Sequence, residues 1–502
     1  MGKPEKLMSR HEMLRNATLT EVAGAVPPIS SIAETANQTP RNRTIEENSK
    51  HGTNEWQLQY TRFDDPVTLA SYPLVRRVRS SAIEGFASRT SVMPGESIDF
   101  KVSMNPAGKF SIDIYRMGYY GGTGGCHMTK IDSLDARPQF MPTMTIERLR
   151  ECNWEVSATF HVPKDWPGGV YLGKLTRSEQ FGYQSYLIFV VKEHRKSDIL
   201  CQVSDLTWQA YNKWPGTDSL YDDGTPEVWY SGPNVRVSFD RPYTKYLQVY
   251  DAPLSAGSGE YLLWEHPMSF WLEQQGYDVT YCSNLDVHSD PDILGLSKVF
   301  LSVAHDEYWT RKMYDEAVKA RDNGLSFAFF SGNSINHEIN IFESFDGTPN
   351  RAFSREKPFQ DEENLMGNSS YGHGCGDWIV KNSRNWIYEG TGLKDGDKIP
   401  AIVGWEYHGP PLANIKGLEI VAENSLHSNT KTPHTAVVYP CPKGNWVFNA
   451  GTIWWAEGLS QPPGHMPAAH SSGGENTFGV NPHVQKITMN ILNRMIKDSP
   501  RK

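Results

Sequence analysis

Alternation of apolar and polar residues dominates residues 55–193. Runs in which every second residue is apolar are separated by turns that carry Gly and Pro, such as MPGE and DWPGG. Runs of this period are typical of strands with one buried face, and their spacing predicts an antiparallel β-sandwich of immunoglobulin-like type. The clearest predicted strands are SIDFKVSM (97–104), KFSIDIYRMG (109–118), EVSATFHV (155–162) and YQSYLIFVV (183–191).

The pattern changes after a charged segment at 192–198. Continuous apolar runs that end in polar residues then appear, and these are typical of buried parallel strands. Because the runs alternate with helical spacing, they predict right-handed crossovers and a doubly wound parallel sheet over residues 194–502. The predicted parallel strands are DILCQVSD (198–205), YDVTYCS (277–283), KVFLSVAHD (298–306) and LSFAFFSGNS (325–334).

Three segments carry the apolar spacing of helices. The segment 260–276 ends at a glycine, Gly276, which suits a helix C-terminus. Thr310 can cap the start of a second helix that Gly324 ends. A last amphipathic helix is predicted over 483–498. Between residue 205 and about residue 259 the chain has no sustained period and is predicted to be rich in loops.

The N-terminal residues differ from both regions. Residues 1–54 are rich in Asn, Thr, Ser, Pro and Glu and show no sustained period, which predicts a flexible or loosely docked arm. The chain of 502 residues is thereby divided into an arm, a β domain over 55–193 and an α/β domain over 194–502.

Composition narrows the classes of function. A net charge of −9 without long Lys/Arg clusters argues against nucleic acid as a partner. Runs of 18 apolar residues are absent, and the charged start of the chain is not followed by an apolar stretch, so neither a membrane span nor a secretory signal is expected. We therefore expect a cytoplasmic protein. The six cysteines lack C-x-x-C spacing, which disfavours a zinc site or a disulfide framework.

Ligands of a doubly wound sheet bind at the carboxyl ends of the strands. Four loops are expected there, at 204–208, 283–286, 305–309 and 331–334. The third holds the most reactive groups, the consecutive residues His305, Asp306, Glu307 and Tyr308. Two interpretations stay open: a reactive site, or carboxylates paired with nearby bases while the histidine and tyrosine satisfy buried polar groups.

Glu406 lies between Trp405 and Tyr407, in apolar surroundings that raise a carboxyl pKa unless a metal or a base compensates. It is a candidate for metal ligation or proton transfer, or a salt-bridged structural residue. Two other chemistries are disfavoured. Ser334 follows a strand in G-N-S but lacks the closing glycine of a nucleophile elbow, and Cys282 has no obvious base beside it.

Several long motifs together resemble the N,N-dimethylformamidase large-subunit-like family, from about residue 55 to the C-terminus. The resemblance implies an immunoglobulin-like domain followed by a domain similar to class I glutamine amidotransferases without their cysteine nucleophile. The motifs include IYRMGYYGGTGG, PKDWPGGVYLGKL, SDLTWQAYNKWPGTDSLYDDG, GYDVTYCSNLDVH, LSVAHDEYWT, GTGLKDGD and GNWVFNAGTIWWAEGL.

The resemblance also implies a single iron bound by two tyrosines and a glutamate, which activates water to attack the carbon of a small amide. Tyr308, in H-D-E-Y, matches one tyrosine, and Tyr211 is the expected second one, with Tyr243 as the alternative. Glu362, with Glu363 beside it, is the expected glutamate. Phenolate and carboxylate oxygens are hard donors that suit ferric iron as a Lewis acid, and zinc is the less favoured alternative.

The resemblance also implies roles for residues other than the metal ligands. Glu406 is expected to serve as a base or substrate anchor, and His305 to orient the site or carry a proton. Trp208, Asn212 and Asn333 are expected to contact the substrate.

The resulting hypothesis is an iron-dependent hydrolase of the C–N bond of a small linear amide. The dimethylformamidases work with a small second subunit, which this chain does not contain, and a homo-oligomer is left open. The alternative hypothesis is a non-catalytic protein that binds a glycan or a protein partner and carries a degenerate α/β domain.

Overall fold

The computed structural model describes residues 42–69, 72–223, 230, 232–248, 251–369, 371–426, 432–465 and 479–501. Most of the predicted arm, residues 1–41, lies outside the described residues. The part of it that is described begins with a helix, Arg43–Asn48, capped by the side chain of Asn42. Residues 42–502 form one compact unit.

Two sheets of three and five strands pack face to face in the predicted β domain. Their shared core contains buried side chains from both sheets, among them Phe100, Ile112 and Leu187. All four strands predicted there are confirmed. The strands in spatial order are Glu84–Ala87, Ser97–Ser103 and Ala158–His161 in one sheet, and Ser91–Val92, Gln184–Val191, Gly169–Arg177, Gly108–Met117 and Gly125–Ala136 in the other.

A sheet of seven strands forms the centre of the second region. Five neighbouring strands pair in parallel, and two antiparallel strands extend one edge. The four parallel strands predicted from the sequence are all present. The spatial order is Val279–Ser283, Ser197–Val203, Ser297–His305, Ser326–Gly332, Trp446–Asn449, His434–Pro440 and Glu419–Asn424.

Smaller sheets and helices surround this centre. The smaller sheets are Asp64–Leu69 with Tyr72–Arg79; Arg236–Ser238, Ala352–Pro358, His337–Phe342 and Tyr308–Trp309; Gly372–His373 with Glu406–Tyr407; and Gly376–Ile379 with Lys398–Val403. The α-helices of the described residues are Arg43–Asn48, Asp205–Tyr211, His266–Gln274, Asn284–Ser289, Arg311–Asp322, Glu363–Met366 and Pro482–Asp498. None of these helices is both long and apolar enough to cross a membrane.

The helix predictions are confirmed in part. Thr310 caps the helix Arg311–Asp322 by accepting a hydrogen bond from the backbone N–H of Met313. Two segments predicted as loops are helical instead, Asp205–Tyr211 and Asn284–Ser289. The second begins with a capping box in which Ser283 and Asp286 exchange hydrogen bonds, so local side chains satisfy the free N–H groups at its start.

A buried ion pair joins the two regions. Arg116, on a strand of the five-stranded sheet, donates to both carboxylate oxygens of Glu273, at 3.0 and 2.8 Å. The helix Arg43–Asn48 completes this contact because Asn48 also donates to Glu273, at 2.7 Å. The chain is thus a mixed α/β protein with several sheets. Its immunoglobulin-like and amidotransferase-like character stays a prediction.

Candidate functional site

The carboxyl ends of three neighbouring parallel strands bring the reactive side chains together. His305 is the last residue of its strand, and Asn333 follows the next strand in the sheet. Tyr211 ends the helix that follows the strand Ser197–Val203. The segments that follow two of these strands contact each other, because the backbone N–H of Glu307 donates to the Thr207 hydroxyl at 3.0 Å. The sheet therefore fixes the positions from which these side chains meet.

A cluster of phenol and carboxylate oxygens lies at this edge of the sheet. The hydroxyl of Tyr211 donates to Oε2 of Glu307 at 2.6 Å, and that of Tyr221 donates to Oε1 at 2.9 Å. The two hydroxyls are 2.8 Å apart. Tyr308 is fully buried and its hydroxyl is hydrogen-bonded to that of Tyr221. We call Tyr211, Tyr221 and Glu307 the oxygen cluster.

Burial controls the charges of this cluster. It raises the pKa of the phenols of Tyr211 and Tyr221 well above the usual range, and the neighbouring carboxylate of Glu307 raises them further. Burial also raises the pKa of Glu307, but the imidazoles of His305 and His337, 3.3 and 3.5 Å from its carboxylate, outweigh burial and lower that pKa overall. Without a bound cation, the cluster therefore consists of a carboxylate between neutral phenols.

His305 stands between two carboxylates. Its Nε2 is 3.0 Å from Oε2 of Glu406 and 3.3 Å from Oε2 of Glu307. Burial lowers the pKa of His305, but Glu406 and Glu307 together raise it to about 10. On the other side of the ring, Nδ1 faces Glu260 at 3.9 Å. Burial raises the pKa of Glu260 to about 7, although His305 opposes the shift.

Two neutral side chains hold the carboxylate of Glu406. The amide of Asn333 donates to Oε2 at 3.1 Å, and the hydroxyl of Tyr371 donates to Oε1 at 3.2 Å. Asn333 has a positive φ of 49°, a conformation that asparagine tolerates better than most residues. Trp405 packs edge-on against the ring of His305. The carboxylate and the imidazole are therefore fixed relative to each other.

A cleft of about 500 Å³ opens beside these groups. Asn333 and Tyr371, the residues that hold Glu406, both line it. The far part of the cleft is lined by residues 359–364. The cleft thus gives a ligand access to the two side chains that hold Glu406.

Five of the residues singled out in the sequence meet in this arrangement. They are His305, Tyr308, Tyr211, Glu406 and Asn333, and they are joined through the contacts given above. Trp208 and Asn212 line a second cavity together with Tyr211 and Glu260, and each also has a hydrogen-bond partner within the protein. The indole of Trp208 donates to Glu265 at 2.8 Å, and the amide of Asn212 donates to Gln209 and to the carbonyl of Pro242.

The glutamate of the cluster is Glu307, whereas the sequence pointed to Glu362. Glu362 precedes the short helix Glu363–Met366 and accepts a hydrogen bond from Ser369 at 2.7 Å. The described contacts of Glu362 include neither Tyr211 nor Tyr308. The physical reason is position, since Glu307 follows a parallel strand and Glu362 lies on the far wall of the cleft.

Two members of the cluster were missed in the sequence. Tyr221 lies in the loop-rich stretch where no period guides a prediction, and its place is fixed by backbone contacts such as that of Leu220 with the carbonyl of Ala210. Glu307 was noted only as one of two acids next to His305. The other acid, Asp306, accepts hydrogen bonds from Gln202, Asn284 and Ser302 and belongs to the structural interior.

The donor atoms of the cluster fit a hard metal ion. Its oxygen–oxygen separations of 2.6 to 2.9 Å match the edge of an octahedron with metal–oxygen bonds of about 2 Å. Groups of three or more His, Cys, Asp or Glu side chains arranged for a metal are not found in the described part of the chain. A metal here would thus rely on phenol oxygens, with Glu307 as the carboxylate.

Comparison with known proteins gives one informative match. Residues 111–468 match the family described as N,N-dimethylformamidase beta subunit-like, C-terminal, and this range includes all the site residues described above. No curated protein matches the chain.

Among solved structures, one similarity is to a Paenibacillus sp. cycloisomaltooligosaccharide glucanotransferase complexed with cycloisomaltoheptaose. It has 10% sequence identity and a TM-score of 0.17, too low to support a structural argument. The alignment covers 60% of this chain and 62% of that chain, so it spans less than two thirds of that protein. The family match, in contrast, extends over more than half of the chain. The chain therefore belongs to the N,N-dimethylformamidase beta subunit-like family.

Proposed function

We propose that this protein is an iron-dependent hydrolase that cleaves the C–N bond of an amide. The observation that carries the proposal is the oxygen cluster, which lies beside a histidine held between two carboxylates. The family description supports an amide as the substrate. Ferric iron suits the proposal because phenolate and carboxylate oxygens are hard, anionic donors.

We assign the iron ligands to Tyr211, Tyr221 and Glu307. Both phenol hydroxyls contact the carboxylate of Glu307, at 2.6 and 2.9 Å, so one cation can replace the protons that they now share. Tyr308 is hydrogen-bonded to the hydroxyl of Tyr221 and would orient that ligand. Glu362, across the cleft, is left out of the ligand set.

Hydrolysis adds the hydroxyl of water to the acyl carbon, breaks the C–N bond, and transfers a proton to the departing amine nitrogen. Iron held by the cluster would polarise the amide carbonyl and lower the pKa of a bound water molecule. Glu406 is proposed as the general base, because its carboxylate accepts hydrogen bonds from Asn333 and Tyr371, which both line the cleft.

His305 is proposed as the carrier of the proton. Despite burial, Glu406 and Glu307 raise the pKa of His305 to about 10, so the imidazole is protonated and can give its Nε2 proton to the departing amine. Because Nε2 lies 3.0 Å from Oε2 of Glu406, the proton that Glu406 takes from water can then replace it. Asn333 and Tyr371 orient Glu406, and the edge-on contact with Trp405 fixes the imidazole ring. Each step thus uses a side chain already held by its neighbours.

Tyr221→Phe tests the ligand assignment. This change removes one ligand oxygen and should lower iron affinity by more than about 100-fold, since changing residues around metal ligands alone costs 10 to 100-fold. The matched control is Tyr277→Phe, because the Tyr277 hydroxyl donates to Asn493 far from the cluster. Iron content is measured by elemental analysis and amide hydrolysis by amine release. Full iron content and full activity in Tyr221→Phe would refute the assignment.

A further inference from the structure

One arginine contacts the oxygen cluster and has no role in the proposed reaction. The guanidinium of Arg355 lies over the aromatic ring of Tyr221, with 4.7 Å between its central carbon and the ring centroid. Arg355 is buried, with 5% of its surface exposed. A cation over an aromatic ring is attracted to it, because the face of the ring carries negative potential. The contact therefore restrains the ring of a proposed iron ligand.

The same side chain also holds the backbone that carries this tyrosine. Nη2 of Arg355 donates to the carbonyl of Leu220 at 3.1 Å and to that of Tyr230 at 3.0 Å. Leu220 directly precedes Tyr221 in the chain. Residues 212–223 form neither helix nor strand, so the course of this segment depends on such long-range contacts.

A small sheet supplies the support. Arg355 belongs to the strand Ala352–Pro358. Tyr308, whose hydroxyl is hydrogen-bonded to that of Tyr221, belongs to the same four-stranded sheet. Side chains on strands hold a site more precisely than side chains on loops. The sheet thus presents two side chains to a proposed ligand whose own segment has no regular structure.

Arg355 differs from the buried arginines that only support the fold. Arg241 is also buried and donates to five acceptor oxygens. Arg116 and Arg351 each pair with a carboxylate. The hydrogen bonds of Arg355 within the described residues both come from one nitrogen and end on carbonyl oxygens, and its Nε has no hydrogen-bond partner there. The ring of Tyr221 is therefore a main contact of its charge.

The charge of Arg355 favours an anion on the ring that it covers. Burial of a charge without a compensating charge is unfavourable, and a negative charge on a contacting group relieves that cost. A tyrosine that binds a metal ion does so as the negatively charged phenolate. A phenolate at Tyr221 would be stabilised by the guanidinium that lies over it.

We propose that Arg355 is a positioning residue of the iron site, which fixes Tyr221 as a ligand through its ring and through the carbonyl of Leu220. The inference rests on the proposed function, because it requires Tyr221 to bind iron. Arg355 acts through Tyr221 and contacts neither the metal nor the substrate.

Two variants of the full chain separate the charge of Arg355 from its hydrogen bonds. Arg355→Gln removes the charge and keeps an amide that can donate to one loop carbonyl, whereas Arg355→Lys keeps the charge. Iron affinity is measured by competition with a chelator, and the phenolate band by visible absorption of the iron-loaded proteins. Urea denaturation without iron shows whether each variant folds.

Arg355→Gln should lower iron affinity by about 10- to 100-fold, the usual cost of changing a residue that orients a metal ligand. Its phenolate band should move to longer wavelength, because the donor orbital of the phenolate rises in energy without the neighbouring cation. Arg355→Lys should keep the band near its wild-type position. A residue that only stabilised the fold would leave the band of the folded, iron-loaded protein unchanged.

The matched control is Arg236→Gln. Arg236 lies on the neighbouring strand of the same sheet, and its guanidinium lies over the ring of Phe342, 4.0 Å from the centroid. Because Phe342 is not a proposed ligand, iron affinity and the band should keep their wild-type values in this variant.

Three results would overturn the inference. They are an unchanged iron affinity or band in Arg355→Gln, an equal shift of the band in Arg236→Gln, and failure of iron-free Arg355→Gln to fold, which would make the residue structural. Failure of the proposed function is a distinct result. A wild-type protein that takes up no iron or shows no phenolate band overturns the proposed function and the inference with it, whereas a wild-type band that Arg355→Gln leaves in place overturns the inference alone.

Discussion

Two buried clusters of charged and phenolic side chains lie in different parts of this molecule. One surrounds Arg116 and Glu273, where the two regions meet. The other surrounds His305 and Glu307, at the carboxyl ends of the parallel strands. Both contain carboxylates and tyrosine hydroxyls within hydrogen-bond distance, so composition alone does not distinguish them.

Their charge balance does distinguish them. In the first cluster Arg116 pairs with Glu273, while Lys50 pairs with Glu47, whose carboxylate accepts from Tyr120. Cations and carboxylates are equal in number, as expected of a structural ion pair that must offset its own desolvation.

The second cluster has an excess of carboxylates. Glu260, Glu307 and Glu406 surround the imidazole of His305, and the partly exposed His337 approaches Glu307 at 3.5 Å. The buried cation of Arg355 lies over the ring of Tyr221, 4.7 Å from its centroid, and donates to the carbonyls of Leu220 and Tyr230 rather than to these carboxylates. A negative excess in a buried site is relieved either by a bound cation or by protonation, as for Glu260, whose pKa burial raises to about 7. The difference fits a structural role for the first cluster and the proposed cation-binding role for the second.

The largest effect is expected from Glu406→Gln. Because this change removes the proposed base but keeps the shape of the side chain and one of its two acceptor oxygens, it should lower kcat by about 10²- to 10⁴-fold. Iron content should stay at the wild-type level. Amine release and elemental analysis on the same preparation measure both quantities, and a fully active Glu406→Gln protein would exclude the base assignment.

Arg116→Met should lower the stability of the fold and leave the iron content unchanged. It leaves Glu273 buried without its cation and should reduce the free energy of unfolding by about 3 to 5 kcal/mol, measured by urea denaturation. Iron content of the folded protein should not change. The control is Arg137→Met, whose ion pair with Glu155 is exposed and should contribute about 0 to 1 kcal/mol. If Arg116→Met lost iron but kept its stability, the cluster around Arg116 and Glu273 would not have the structural role assigned to it.

Acid should weaken the fold through buried histidines. Burial lowers the pKa of His408 to about 3 and that of His434 to about 4. Between these values and about 6.5 the unfolded chain binds protons that the folded chain does not, so stability is present above pH 6.5 and is lost as the pH falls.

Each of these histidines should contribute a slope of about 1.4 kcal/mol per pH unit in this interval. His434→Gln should therefore reduce the slope of unfolding free energy against pH by that amount, measured by urea denaturation between about pH 4.5 and 6. An unchanged slope would mean that His434 is protonated in the folded protein.

The smallest effect is expected from Tyr308→Phe. If Tyr308 only supports Tyr221, the change removes one hydrogen bond, with a cost to stability of about 1 kcal/mol, and iron is retained. The absorption band of the iron protein should shift in position without disappearing. Disappearance of the band together with the iron would make Tyr308 a ligand and displace Tyr211 or Tyr221 from that role.

Most of the parallel sheet was predictable because its strands are apolar on both faces and end in polar residues. The strand ends then indicated His305, Tyr308 and Asn333, since a parallel sheet gathers its carboxyl ends at one edge. The helix Arg311–Asp322 was equally clear, because Thr310 and Gly324 mark its ends.

The ligand set was less predictable because it depends on irregular backbone. Tyr221 reaches Glu307 from a loop whose course is fixed by long-range contacts, and a sequence pattern carries no sign of them. The sequence indicates Glu362, with Glu363 beside it, only through the resemblance of a short motif. The distances between side chains, which decide which carboxylate meets the phenols, come only from the folded chain.

Metal content together with the visible absorption spectrum of the purified protein tests the central claim most directly. Phenolate oxygens bound to ferric iron give a coloured charge-transfer band, so we expect stoichiometric iron and visible absorption that is lost in Tyr221→Phe and kept in Tyr277→Phe. A protein that binds zinc or no metal, and that shows no visible absorption after iron is supplied, would contradict the assignment of Tyr211, Tyr221 and Glu307 as an iron site.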